Sequence, residues 1–187
     1  YGLVFVFLGD AAEADRPAIP DWFEPYYTAA DRRLLTFEYV YTETNWIRLG
    51  ENSVDTSHPS FVHKQFGNRL SPKANIVPIT EEPYGATVTR VRAAPPASAK
   101  SEAMQKILPA DRKTNRVTLQ FSMIGLTEML YQEMTPEISQ VLFSARVPVD
   151  EFTTKSYGFQ ARNFLLEPEH DAERLKGLLQ AAVEDHN

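Results

Sequence analysis

The clearest hydrophobic alternation in the chain is "LLTFEYVYTE". Leu35, Phe37, Tyr39 and Tyr41 fall on one side, and Thr36, Glu38 and Thr42 mostly on the other, which predicts a half-buried strand. Before it, residues 2–8 form an unbroken apolar, β-rich run ended by Gly9-Asp10, expected to be a buried strand. Residues 11–33, rich in Pro, Asp and Ala, read as a surface connection. Over 45–58 the period changes: Trp46, Leu49 and Ser53 or Val54 recur at helical spacing, predicting a short helix ended by Pro59.

Short strands are expected near 75–80 and 86–92, followed by a long Pro-containing loop over 94–115. Then "RVTLQFSMIGL", "TEMLYQEM", "QVLFSARVPV" and "FTTKSYGFQARNFL" predict four strands in meander-like succession. The last periodic segment, "DAERLKGLLQAAVEDHN", predicts a helix with Leu175, Leu178, Leu179, Ala182 and Val183 on one face and Glu173, Gln180 and Glu184 opposite. Strands gathered in the middle with helices near the ends imply an α+β fold with an antiparallel sheet.

Composition narrows the function. The chain of 187 residues is the size of one domain, 43% hydrophobic and 24% charged, as in an ordinary globular protein. A net charge of −6 argues against a nucleic-acid surface. The absence of cysteine excludes disulfides, thiolate catalysis and cysteine-ligated clusters within these residues. No apolar run approaches the length of a membrane span. The opening "YGLVFVFLGD" has no initiator Met and starts in mid-strand, so Tyr1 is expected to be a cut point in a longer polypeptide.

The chemistry concentrates in "ENSVDTSHPSFVH". Two of the four histidines, His58 and His63, lie here, with Asp55 three residues before the first. Two imidazoles and one carboxylate make the facial triad of non-haem Fe(II) sites. Asp55 is placed to accept the second ring N–H of His58. The competing reading is a pair of surface histidines near a helix C-terminus, where partial negative charge favours them. Phe121, Met123, Leu126, Met129 and Tyr131 are candidate lining for a hydrophobic pocket, although residues of this kind are more often simply core. Trp22 and Trp46 read as structural.

The longer stretch "NWIRLGENSVDTSHPSFVH" resembles the active-site helix of Rieske non-haem iron oxygenases, with Asn45, Trp46, Glu51, Asn52, Asp55, His58, Val62 and His63 in register. "YGLVFVFLGD", "IPDWF" and "VPVDEFTTKSYGFQARNF" resemble other parts of the catalytic domain, most nearly in vanillate O-demethylase-like and ring-hydroxylating enzymes. The resemblance implies a helix-grip (START-like) fold, an antiparallel sheet packed on a long C-terminal helix, with 1–187 as a single catalytic domain. It implies mononuclear Fe(II) held by His58, His63 and an acid of the C-terminal helix, with Asn52 beside the iron. It implies that Asp55 links the iron to a Rieske histidine of an adjacent subunit in a homotrimer.

Of the downstream acids Asp111, Asp150, Glu151, Glu167, Asp171, Glu184 and Asp185, the family's "E-D" pattern favours Asp185, with His186 a geometric rival. The [2Fe-2S] Rieske cluster would lie upstream of Tyr1. Electrons would come from NAD(P)H through a reductase or ferredoxin, and O2 would hydroxylate or dealkylate a small aromatic or cyclic substrate in a cytoplasmic enzyme. The alternative is a non-catalytic helix-grip domain that binds an apolar ligand.

Overall fold

The computed structural model describes residues 3–55, 57–63, 76–95 and 100–186. Seven strands form one antiparallel sheet: β1 (Arg33–Tyr41), β2 (Ile79–Glu82), β3 (Gly85–Ala93), β4 (Thr114–Ser122), β5 (Thr127–Glu133), β6 (Ser139–Pro148) and β7 (Thr154–Arg162). The order is β1-β7-β6-β5-β4-β3-β2, so every neighbour is a chain neighbour except β1, which pairs with β7 from Arg33↔Arg162 to Tyr41↔Thr154. The helices are α1 (Glu24–Tyr27), α2 (Trp46–Val54), α3 (Glu102–Ile107) and α4 (Asp171–His186). The fold is α+β, an antiparallel sheet gripping a C-terminal helix, as expected.

The two faces of the sheet differ in chemistry. Cross-strand rows Met129↔Phe143↔Phe159 and Tyr131↔Val141↔Ala161 carry one face, and Phe23, Trp22, Tyr26 and Tyr27 close over it. Phe143 is fully buried, with its ring stacked on Phe159 at 5.3 Å and tilted against Phe23 at 4.5 Å. Residues 11–33 are therefore more than a surface connection, because they supply the lid of the core. Gly158 sits where backbone and ring meet it closely: a Cβ there would lie 2.2 Å from the Phe143 carbonyl oxygen and 2.5 Å from the Phe37 ring.

The opposite face turns to α4 and is largely polar. Gln132, Gln140 and Gln160 form a buried amide chain, with Gln140 Nε2 donating to Gln132 Oε1 and Gln160 Nε2 to Gln140 Oε1. At the start of α4, Asp171 takes hydrogen bonds from Arg162 at 2.6 Å and from Arg33 at 2.6 and 3.1 Å. Arg162 has no exposed surface and also donates twice to the Leu165 carbonyl. This clamp ties β1 and β7 to the helix that carries Asp185 near its far end.

Three expectations fail. Residues 3–8 form no strand: Val4 and Leu8 are each 89% exposed, Leu3 packs at the edge of the core and Phe5 covers Gly125. An apolar run shows hydrophobicity but not a strand partner. The 94–115 segment contains α3, capped by Ser101, and Met104 from it is buried with Met134 and Phe164; residues 96–99 lie outside the described set. On α4 the expected faces hold for Leu175, Leu178, Leu179 and Ala182 against Glu173 and Gln180 but fail in the last turn, where Val183 is 37% exposed and the Glu184 side chain only 10%. In that turn the helix meets His63 rather than apolar surface, so the hydrophobic stripe is no guide to what is covered there. The strand expected near 75–80 begins at Ile79, residue 75 being outside the described set.

Candidate metal centre

Asn45 caps α2, its side-chain oxygen accepting from the Ile47 N–H at 2.8 Å, while its amide donates to the Glu151 carbonyl. Arg146 on β6 donates to Ser53 Oγ at 2.6 Å and Glu128 at 2.8 Å, fixing α2 against the sheet. The helix stops at Val54. Asp55 then turns the chain, Oδ1 accepting the Ser57 N–H at 2.7 Å and Oδ2 the His58 N–H at 3.3 Å. A single 3-10 turn, His58–Ser60, follows, carrying Pro59 in its first turn. This break in the helix lets two histidines five residues apart face one point, with ring centroids 5.4 Å apart.

Asp185, near the end of α4, meets both. Its Oδ1 lies 3.1 Å from His63 Nε2 and 3.8 Å from His58 Nε2. The three donor atoms of His58, His63 and Asp185 all lie within 4.8 Å of one another. Two donors each about 2.1 Å from a metal and at right angles stand about 3 Å apart, which the His63–Asp185 separation matches. A nitrogen–nitrogen–oxygen set of this kind suits Fe(II). Burial, with neighbouring His63, lowers the pKa of His58 against the opposing pull of Asp185, favouring the neutral imidazole that metals bind.

The surrounding groups orient this set. Asn52 Nδ2 donates to Asp185 Oδ1 at 3.1 Å, one helical face aiming at the next. Glu184 Oε2 lies 3.3 Å from His63 Nδ1, so the two ring nitrogens of His63 face two different carboxylates. This is the arrangement in which a carboxylate holds one nitrogen so that the other meets a metal. Sequence reasoning missed it by placing Glu184 on the far face; the signal available was the adjacent Glu-Asp pair itself.

Other expectations resolve differently. Asp55 Oδ2 is 3.9 Å from His58 Nδ1, too long for a hydrogen bond, and that buried nitrogen has no hydrogen-bond partner among the described residues. Asp55 instead orders the turn and stays 48% exposed. His186 faces β1, with Tyr39 Oη 3.2 Å from Nδ1 and the Thr42 carbonyl 2.6 Å from Nε2, so both nitrogens are engaged away from the cluster. Asp150 accepts from the Phe152 N–H at 2.8 Å as a turn acid. Met123 is 52% exposed and is not among the residues that line the cleft under α4. Phe121 is half-buried and packs on Gly50 of α2. Met129 and Tyr131 belong to the core on the opposite face. The cleft under α4 is lined by their alternating neighbours Leu130 and Gln132, the other phase of the same strand.

Comparison with known proteins places the chain. Residues 42–187 match the family described as the vanillate O-demethylase oxygenase C-terminal domain. No curated protein matches in sequence. Among solved structures, Pseudomonas putida CBB5 NdmA with caffeine is 22% identical with a TM-score of 0.69, covering 90% of this chain and 45% of that one. Dicamba monooxygenase bound to dicamba is 20% identical with a TM-score of 0.70, covering 95% and 53%. The chain thus spans about half the length of these proteins, and at such identities the likeness carries the fold. No helix among the described residues is long and apolar enough to cross a membrane. Together with the family match, the sheet and its C-terminal helix establish that the chain belongs to the vanillate O-demethylase oxygenase C-terminal domain family.

Proposed function

We propose that this chain is the iron-bearing catalytic domain of a Rieske-type oxygenase. The single observation that supports it best is the convergence of His58, His63 and Asp185, from a turn, the segment after it and a helix end, onto one point. His58, His63 and Asp185 would hold mononuclear Fe(II), which when bound supplies O2 activation for hydroxylation or O-/N-dealkylation of an aromatic or cyclic substrate.

The chain's own residues do the rest. Asn52 holds Asp185 Oδ1 in place, and Glu184 fixes the His63 ring by accepting at Nδ1. Pro59 and the Asp55 turn set the direction of His58. The half-exposed Asp55 carboxylate, on the outer side of that turn, suits a bridge to a Rieske histidine of an adjacent subunit in a homotrimer. The [2Fe-2S] cluster belongs to a part of the polypeptide outside these residues, fed from NAD(P)H by a reductase or ferredoxin. The test uses that longer polypeptide. NAD(P)H-dependent O2 uptake with substrate should vanish in Asp185→Ala while the cluster's reduction, followed by absorbance, is unchanged. Undiminished substrate-dependent uptake in that variant would refute the assignment.

A further inference from the structure

The cleft between α4 and the polar face of the sheet has a volume of about 690 Å³, the size of a small-molecule site. Its walls include Met104, Leu130, Leu142, Leu178 and Ala181, so the body of any occupant meets mainly apolar surface. One end reaches Glu184, which touches His63. At the other end three cations converge on the cleft: Arg92 from β3, Lys100 before α3 and Arg174 from the first turns of α4.

Among the described residues these cations form no ion pair, and the one carboxylate that acts on any of them is the exposed Glu173 beside Arg174. Arg174 donates to Gln140 Oε1 at 3.0 Å, but its Nε and that of Arg92 are buried without a hydrogen-bond partner. The two acids of the lining do not neutralise them, since Glu173 is exposed and Glu184 is engaged by His63 and Gln180. Burial lowers the pKa of all three cations, and mutual repulsion with Arg112 brings Lys100 down to about 8. Like charges gathered in a half-buried cleft are costly without an anion and strongly favourable with one.

Position along α4 sets the scale. Arg174 and Asp185 are 185 − 174 = 11 residues apart, about 16 Å along the axis at the α-helical rise. We infer that the cleft takes an elongated, mainly apolar molecule whose carboxylate is held by Arg92, Lys100 and Arg174, with its far end running along α4 toward Glu184, which lies against His63. The placement of the reacting end rests on the proposed iron site, whereas the anion subsite stands on its own geometry.

The experiment is calorimetric titration of the chain with decanoate and, separately, decanol. Wild type should prefer decanoate, and the Arg92→Gln/Arg174→Gln double variant should lose that preference by about tenfold or more, with decanol binding unchanged. Arg92→Lys should retain most of it, which separates charge from fold. A preference unchanged in the double variant, or an equal loss for both ligands, overturns the inference. With Fe(II) added, proton resonances of bound decanoate should broaden more at the terminal methyl than beside the carboxylate; the reverse overturns the orientation. Decanoate preference without any iron binding would sink the iron reading alone and leave the anion subsite standing.

Discussion

Asp171→Ala is the sharpest structural perturbation because one carboxylate serves two arginines of unequal burial. Arg162 is 0% exposed and bonds Asp171 at 2.6 Å, so losing the acid strands a buried charge. Breaking a buried pair from one side typically costs about 3–5 kcal/mol. Arg162 keeps two bonds to the Leu165 carbonyl, which argues for the lower end. Arg33 is 35% exposed, so solvent screens its bond to Asp171 and it adds little beside Arg162. The expected loss is therefore about 3 kcal/mol, or roughly 6–12 °C in Tm for a domain of this size. Urea unfolding followed by circular dichroism measures it, with Arg33→Ala as the control expected to lose clearly less than Asp171→Ala.

The pH dependence has a definite sign. The hydrogen bond from Arg33, and after it that from Arg162, holds the Asp171 carboxyl below its ordinary 3.8, against an opposing effect of burial. A depressed carboxylate contributes stability that is complete above 3.8 and lost as pH falls below it through the lowered value. Asp171→Ala should flatten that acid limb. A loss below about 1 kcal/mol, or Arg33→Ala costing as much as Asp171→Ala, would refute the clamp.

Asn52→Ala should lower Fe(II) affinity by about 10–100-fold without unfolding, since Asp185 loses the donor that aims it; calorimetric titration of metal checks this. Asp55→Asn keeps an acceptor for the turn but removes the charge, so iron should stay while multiple-turnover rate in the longer polypeptide falls by about tenfold or more. Gly158→Ala should cost about 1–3 kcal/mol or more in urea unfolding, because the added methyl meets a backbone oxygen rather than a movable side chain.

How much of this was legible follows from what each pattern encodes. β1 reads correctly because one face is half-buried and the other meets solvent, so period-two alternation survives. The strands β4 to β7 read for the same reason and for their turns. Residues 3–8 mislead because hydrophobicity says nothing about hydrogen-bond partners. α3 is missed because six residues among small and polar ones give almost no periodicity, yet Met104 and Ile107 anchor it against Met134 and Phe164. His58 and His63 are legible from spacing and motif. Glu184 is not, since its burial comes from facing a polar site rather than a core. The cations of the cleft are spread over Arg92, Lys100 and Arg174 and meet only through the fold.

The central claim is that His58, His63 and Asp185 form one iron site. Its most direct test is anaerobic Fe(II) binding to wild type and single Ala variants, read by metal analysis after desalting. Stoichiometric iron in wild type, lost in His58→Ala, His63→Ala and Asp185→Ala but kept in His186→Ala and Asp150→Ala, is the predicted result. Iron retained at wild-type level when His63 or Asp185 is removed, or lost with His186 instead, would contradict it.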